Sequence, residues 1–151
     1  MAVTNDSVLW GWGVNTQGQL GNGDISWSNP YPIRIMDGVA IVAAAYGHTA
    51  AIKEDGTLWK WGANNFGQIG NGQVDYVEAE WDSHPLVWKV NADPVMIMEE
   101  VVAVSNTGGG HTLALTNDGR LWAWGNNGDG QLGIVTDGTM ENRYTPVLIM
   151  E

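Results

Sequence analysis

The sequence predicts an all-β chain made of antiparallel four-stranded blades of a β-propeller, about 2.5 to 3 blades in 151 residues. Three observations carry that prediction. A Trp-x-Trp-Gly run returns three times, Asp-Gly pairs sit between short apolar runs, and the chain holds 9 Trp and 21 Gly with only 15% charged residues. Glycine costs about 1 kcal/mol in a helix interior, so this composition favours short strands joined by tight turns.

The repeated run spans Trp10–Gly21, Trp59–Gly70 and Trp122–Gly133, with starts 49 and then 63 residues apart and seven positions identical in all three copies. Its flanks repeat too. Ala50-Ala-Ile-Lys-Glu-Asp-Gly56 matches Leu113-Ala-Leu-Thr-Asn-Asp-Gly119, and Met1–Ser7 is a worn copy. His48-Thr49 and His111-Thr112 precede the two full versions, and Pro32, Pro94 and Pro146 each open an apolar run downstream. The expected organisation is a single repeat domain over 1–151: a partial unit 1–37, a full unit 38–98 carrying an insertion at 73–93, and a full unit 99–151.

Each element has a physical reason. The Val-rich runs Val39–Ala45 and Val101–Val104 read as first strands. The His-Thr segments read as second strands, and the Asp-Gly turn that follows is a hairpin signal. In the third strand side chains alternate, so Thr57, Trp59 and Trp61 share one face and Leu58 and Lys60 the other. Trp10 and Trp12 oppose Leu9 and Gly11 in the same way, as Trp122 and Trp124 oppose Leu121 and Ala123. A bulky face on one sheet fills the space left by the smaller face of the next. Lys60 breaks the pattern, and its ammonium group is expected to reach solvent. The Asn-x-x-Gly-Gln-Leu-Gly segment reads as a tight loop in which Asn15, Asn64 and Asn127 bond the backbone and Leu20, Ile69 and Leu132 plug the core. The Pro runs are expected to begin strands at a sheet edge, because Pro cannot donate to a ladder. His48 and His111 recur in register, which points to a structural hydrogen-bonding role.

Several functions are excluded or unsupported. With six Lys and Arg and a net charge of −11, no clustered cationic surface exists for phosphates, so no nucleic-acid partner is expected. The chain has no Cys, which removes disulfide and thiolate chemistry. Met1–Asp6 has no basic segment followed by an apolar run, and no stretch has the length of a membrane span, so neither a signal peptide nor membrane insertion is expected. Gly108-Gly-Gly110 lacks the Lys of a phosphate loop, and calcium-loop spacing is absent. No catalytic residue set, metal site or cofactor is expected, and the chain does not read as an enzyme.

The combined pattern of His-Thr, Asp-Gly, Trp-Gly-x-Asn-x-x-Gly-Gln-Leu-Gly, Pro strand and Val strand resembles the repeat of the regulator of chromosome condensation family. The resemblance covers nearly the whole chain apart from the 73–93 region. It implies a propeller that acts through protein contacts. The family's namesake is a nucleotide-exchange factor, but no segment here matches its exchange surface. The Trp and Arg of the family's photoreceptor motif are replaced in Ala45-Tyr-Gly-His-Thr49 and Gly108-Gly-Gly-His-Thr112. The Cys-free acidic composition is similar to that of bacterial surface members, which implies an extracellular or cell-surface setting.

Repetition fails at 73–93. There Tyr76, Trp81 and Trp88 stand among Glu78, Glu80 and Asp82, and aromatics ringed by charge suit a protein interface. This segment is read as a loop, with His84 a solvated loop residue. The expected function is a non-catalytic protein-binding module whose partner is another protein or a second copy of itself, most simply as a dimer closing a ring. Two other readings stand beside it: a lectin-like carbohydrate binder using exposed Trp, and a fragment of a larger surface or inhibitor propeller.

Overall fold

A computed structural model describes residues 1–73, 77–81, 84–88, 90–106, 108–134 and 139–151, with 77–81 and 84–88 described by backbone alone. The strands are β1 (Ala2–Val3), β2 (Val8–Asn15), β3 (Ser26–Asp37), β4 (Val39–Ala44), β5 (His48–Lys53), β6 (Leu58–Ala63), β7 (Val77–Trp81), β8 (His84–Trp88), β9 (Val90–Met98), β10 (Val101–Asn106), β11 (His111–Thr116), β12 (Leu121–Gly125) and β13 (Arg143–Met150). They form a three-stranded sheet β1-β2-β3, two four-stranded sheets β4-β5-β6-β9 and β10-β11-β12-β13, and a two-stranded hairpin β7-β8. Every pairing is antiparallel. The chain is all-β and forms about 2.5 to 3 propeller blades.

The Asp-Gly turns set the register of the central hairpins. Gly56 and Gly119 adopt φ of 82° and 88°, values that favour glycine. They bring Trp59 opposite Ala51 and Trp122 opposite Ala114. The Gly that closes each Trp-x-Trp-Gly run is held more tightly. A Cβ on Gly62 would lie 2.4 Å from the Gly47 carbonyl oxygen, and one on Gly125 would lie 2.4 Å from that of Gly110. Only a residue without a side chain lets the two backbones approach there.

The prolines lie inside the outer strands and do not begin them: Pro32, Pro94 and Pro146 follow strand starts at Ser26, Val90 and Arg143. β3, β9 and β13 are edge strands, so an imide nitrogen on the open side forfeits no ladder bond. The 73–93 segment also departs from its expected loop. Its middle is the β7–β8 hairpin, its last residues belong to β9, and His84 is the first residue of β8, paired with Trp81.

The core lies between sheets. Leu9, Val39, Ala51 and Trp61 form one buried cluster, joining the first sheet to the second. Ala50, Ile52, Leu58, Val101, Ala114 and Trp124 form the next, joining the second to the third.

Candidate functional site

The working parts are the joints between blades. In each repeat the loop after the Trp strand is built by its asparagine. The Asn15 side-chain oxygen accepts from the Leu20 N–H at 3.0 Å, while its amide donates to the Asp24 carbonyl at 2.9 Å. Asn64 does the same with Ile69 and Gln73, and Asn127 with Leu132 and Ile134. All three asparagines are fully buried, so these bonds satisfy groups that would otherwise be costly to desolvate. The loop therefore presents a fixed Gln carbonyl and Gly to the next blade.

That next blade receives them in a constant way. The Trp61 indole N–H donates to the Gln19 carbonyl at 2.9 Å, and the Thr49 hydroxyl donates to the same oxygen at 2.9 Å. At the second joint Trp124 and Thr112 donate to the Gln68 carbonyl at 3.0 and 3.2 Å. The indole lies so close that a Cβ on Gly21 would fall 2.5 Å from the Trp61 nitrogen, and one on Gly70 would fall 2.6 Å from that of Trp124. Trp61 and Trp124 are 0% exposed. Trp12 holds the same place in the first repeat and is 43% exposed. Trp10, Trp59 and Trp122 are half-buried, and Trp59 and Trp122 pack against the two core clusters.

Lys60 does not reach solvent as the sequence led us to expect. It is fully buried in the second joint, where its amine donates to the Asn106 side-chain oxygen at 3.0 Å and to the Thr112 hydroxyl. The smaller face of one blade is covered by the next, so the side chain has no open path. The Trp124 ring lies 5.5 Å from the amine. Such a cation–π contact contributes about 2 kcal/mol when desolvated, less than the several kcal/mol needed to strip an ammonium of water. Burial wins, and it pushes the Lys60 amine well below its ordinary pKa.

His48 is buried beside it. Among the described residues its Nε2 has no hydrogen-bond partner. Burial first, and the Lys60 charge second, push the imidazole down to about 3. The Asn106 amide ties the cluster to the backbone by donating to the Ala43 and His48 carbonyls at 3.0 and 3.2 Å. His111 is only partly buried.

The residues singled out at 73–93 are distributed along the hairpin. Glu78 and Glu80 lie on β7, paired with Val87 and Pro85; Trp81 ends β7 and Trp88 ends β8, where it pairs with Val77. Tyr76 and Asp82 lie outside the described residues. Beside the hairpin's base, between β9 and β13, runs an open groove of about 520 Å³ lined by residues including Gln73, Asn91, Met96 and Thr145. Among the described residues no group of three or more His, Asp and Glu is placed to hold a metal. The residues that the sequence did not single out are Gly21, Gly70 and Gly133, and Lys60 was singled out but placed in solvent. Position-by-position comparison of the copies, with the neighbouring blade in mind, is the signal that finds them.

Comparison with known proteins gives one consistent result. The model of the regulator of chromosome condensation (RCC1) repeat matches residues 6–52, 55–115 and 118–151. The mitochondrial RCC1 domain-containing protein RUG3 of Arabidopsis thaliana is 33% identical over 150 residues, covering 97% of this chain and 31% of RUG3. The ultraviolet-B receptor UVR8 of the same plant is 32% identical over 144 residues, covering 88% of this chain and 28% of UVR8. Yeast RCC1 (Prp20), solved bound to Kap60, superposes with a TM-score of 0.80 at 23% identity, over 99% of this chain and 34% of that one. The chain thus spans about a third of the length of these relatives.

Proposed function

Because the chain belongs to the RCC1 repeat family, we propose that it is a non-catalytic protein-interaction module of propeller blades that associates with further copies of itself. Two copies supply six Trp-x-Trp units, within the four to eight blades of a closed propeller. One observation carries this reading. Trp12 is 43% exposed while its two counterparts are wholly buried by a neighbouring blade. The solved yeast propeller carries a bound protein, which supports protein contact as the mode of action.

The hairpin at 73–93 is the element best suited to engage a partner. It is the part of the chain that the repeat does not require, and Trp81, Trp88, Glu78 and Glu80 stand on its two strands. Tyr76 and Asp82, outside the described residues, complete the same sequence cluster. Light scattering over a concentration series tests the self-association. The expected result is a mass that rises with concentration toward a multiple of the chain, and a monomer throughout would overturn it. Replacing both Trp81 and Trp88 with Ala is expected to remove partner binding or assembly with the far-ultraviolet spectrum unchanged. If the double variant assembles and binds as before, the hairpin has no such role.

A further inference from the structure

An Asn-Gly pair stands at the same place in each of the two joints. Asn22-Gly23 and Asn71-Gly72 each follow directly on the glycine that an indole covers, Gly21 and Gly70. Asparagine is thermolabile. A glycine after it has no Cβ, so its backbone nitrogen can reach the asparagine side-chain carbon and displace ammonia.

Half of that reaction is already arranged. The Asn71 side-chain oxygen accepts from the Gln73 N–H at 3.1 Å, and that of Asn22 accepts from the Asp24 N–H at 3.4 Å and the Asn15 amide at 3.1 Å. Such turns fold the side chain over its own backbone, and the donated hydrogen draws charge from the carbon to be attacked. The nucleophile, by contrast, is restrained by the neighbouring blade. The Gly72 N–H donates to the Tyr144 carbonyl at 2.8 Å, and the Gly23 N–H donates to that of Ala92 at 3.2 Å. While the blades stay packed, each nitrogen keeps its proton and is held toward the outer strand, β13 or β9. Water has access, because Asn71 lines the open groove between those strands and Asn22 is exposed.

We propose that Asn22 and Asn71 are sites of spontaneous deamidation gated by the joints, protected while two blades are packed and reactive when they part. The Gly72 nitrogen gives its proton to solvent and bonds to the Asn71 Cγ. The bond from Cγ to the side-chain nitrogen breaks, and ammonia leaves with a proton from solvent. Water then opens the cyclic imide at either carbonyl, leaving an ordinary aspartate or one linked through its side chain. The sum is amide plus water to acid plus ammonia. The product places a carboxylate at the joint of a chain that already carries −11, so each site records opening irreversibly. Asn127-Gly128 is the contrast within the chain. Asn127 is fully buried, its side chain is bonded to Leu132 and Ile134 of its own loop, and the Gly128 N–H donates to the Asn126 side chain at 3.0 Å. Opening of either joint leaves it protected.

The test is peptide mapping by mass spectrometry of the whole chain, aged in mildly alkaline buffer, folded and in concentrated urea. Folding is expected to slow conversion at Asn22 and Asn71 at least about tenfold, the ratio set by local opening. Two variants loosen one joint each. Trp61→Phe removes the indole donor to the Gln19 carbonyl, and Trp124→Phe removes the one to the Gln68 carbonyl. Trp124→Phe is expected to speed Asn71 about fivefold, the effect of losing one hydrogen bond, with Asn22 and Asn127 unchanged. Trp61→Phe is expected to speed Asn22 and leave Asn71. Circular dichroism verifies that the variants are folded. If one is not, the wild type in graded, sub-denaturing urea replaces it, and hydrogen exchange of the Gly72 amide and conversion of Asn71 are expected to rise together. Conversion of Asn71 as fast in the folded chain as in concentrated urea overturns the proposal. So do folded variants that change neither site or both alike, and so does Gly72 exchange that rises with urea while Asn71 conversion does not.

Discussion

Replacing Lys60 with Met isolates the consequence of burying an amine in the second joint. Lys60 is 0% exposed, and its amine has the Asn106 oxygen and the Thr112 hydroxyl as partners. Neither is a carboxylate, and the Trp124 ring 5.5 Å away offsets only part of the lost hydration of a charged form. The folded-state pKa is therefore depressed, while the unfolded chain titrates near an ordinary value of about 10.4. Between those two values the unfolded state binds one proton more than the folded state. Stability contributed by this site thus rises with pH through that window, at about 1.4 kcal/mol per pH unit, and levels off above the unfolded pKa. Met fills a similar volume and cannot titrate, although it leaves the Asn106 oxygen without this donor, at a cost of about 1–3 kcal/mol. Urea unfolding of both proteins from pH 7 to pH 10 reads the effect. The wild type should gain on the variant as pH rises, at up to the slope given above, and groups common to both cancel in the difference. Lys60→Ala should show the same flat profile as Met, lower by about 2–5 kcal/mol for the cavity it leaves. Parallel wild-type and Met curves would refute the reasoning, because the amine would then be charged in the folded state.

Gly70→Ala drives a Cβ to 2.6 Å from the Trp124 indole nitrogen, so it should cost about 3 kcal/mol or more. Gly133→Ala meets no described residue within 4 Å and should cost only about 1 kcal/mol of left-handed backbone strain; both are read by urea unfolding at a dilution where the chain is monomeric. His48, depressed to about 3 by burial and then by Lys60, binds an extra proton when unfolded between that value and about 6.5. Its contribution is therefore complete above pH 6.5 and is lost as pH falls toward 3, up to about 5 kcal/mol, and acid unfolding of His48→Gln should be less steep than that of the wild type. With a net charge of −11 on each copy, self-association should tighten as salt rises from low to moderate concentration, because screening weakens the repulsion between copies; sedimentation at two ionic strengths checks this.

The sheets were legible because the repeat supplies three readings of one pattern. Alternation in Leu58–Ala63 fixed which residues share a face, and the Asp-Gly turns fixed the hairpins. The face occupied by Trp61 and Trp124 was legible as packing surface for the same reason. The fate of Lys60 was not. Alternation says which face a side chain takes, but whether that face meets water depends on Asn106 and Thr112, more than forty residues away in the chain. The start of the outer strands was also hidden, since Pro32, Pro94 and Pro146 suggest a boundary while Ser26, Val90 and Arg143 are where pairing begins. At 73–93 there was no second copy for comparison, and a hairpin with charged residues on its strands read as a loop.

The energetics of Trp12 decide what kind of contact it can make. A buried aromatic side chain covers about 150–250 Å². Covering the exposed 43% of Trp12 therefore removes roughly 65–110 Å² from water, or about 1.5–3 kcal/mol. The indole bond to a carbonyl adds about 1 kcal/mol. Association costs an estimated 4–15 kcal/mol in lost freedom before anything is gained. One tryptophan cannot meet that cost, so a joint at this site must bury the whole blade face. The same sheet carries Val14, Pro30 and Tyr31, all exposed in the single chain. The internal joints work in the same way, because Trp61 is one of four buried residues in its cluster, ringed by partly buried neighbours such as Ile35, Val42 and Trp59. Trp12 is then the anchor of a surface whose area comes from its neighbours. A ligand that offered only a pocket for an indole would lack the area, whereas a second blade of the same shape supplies it.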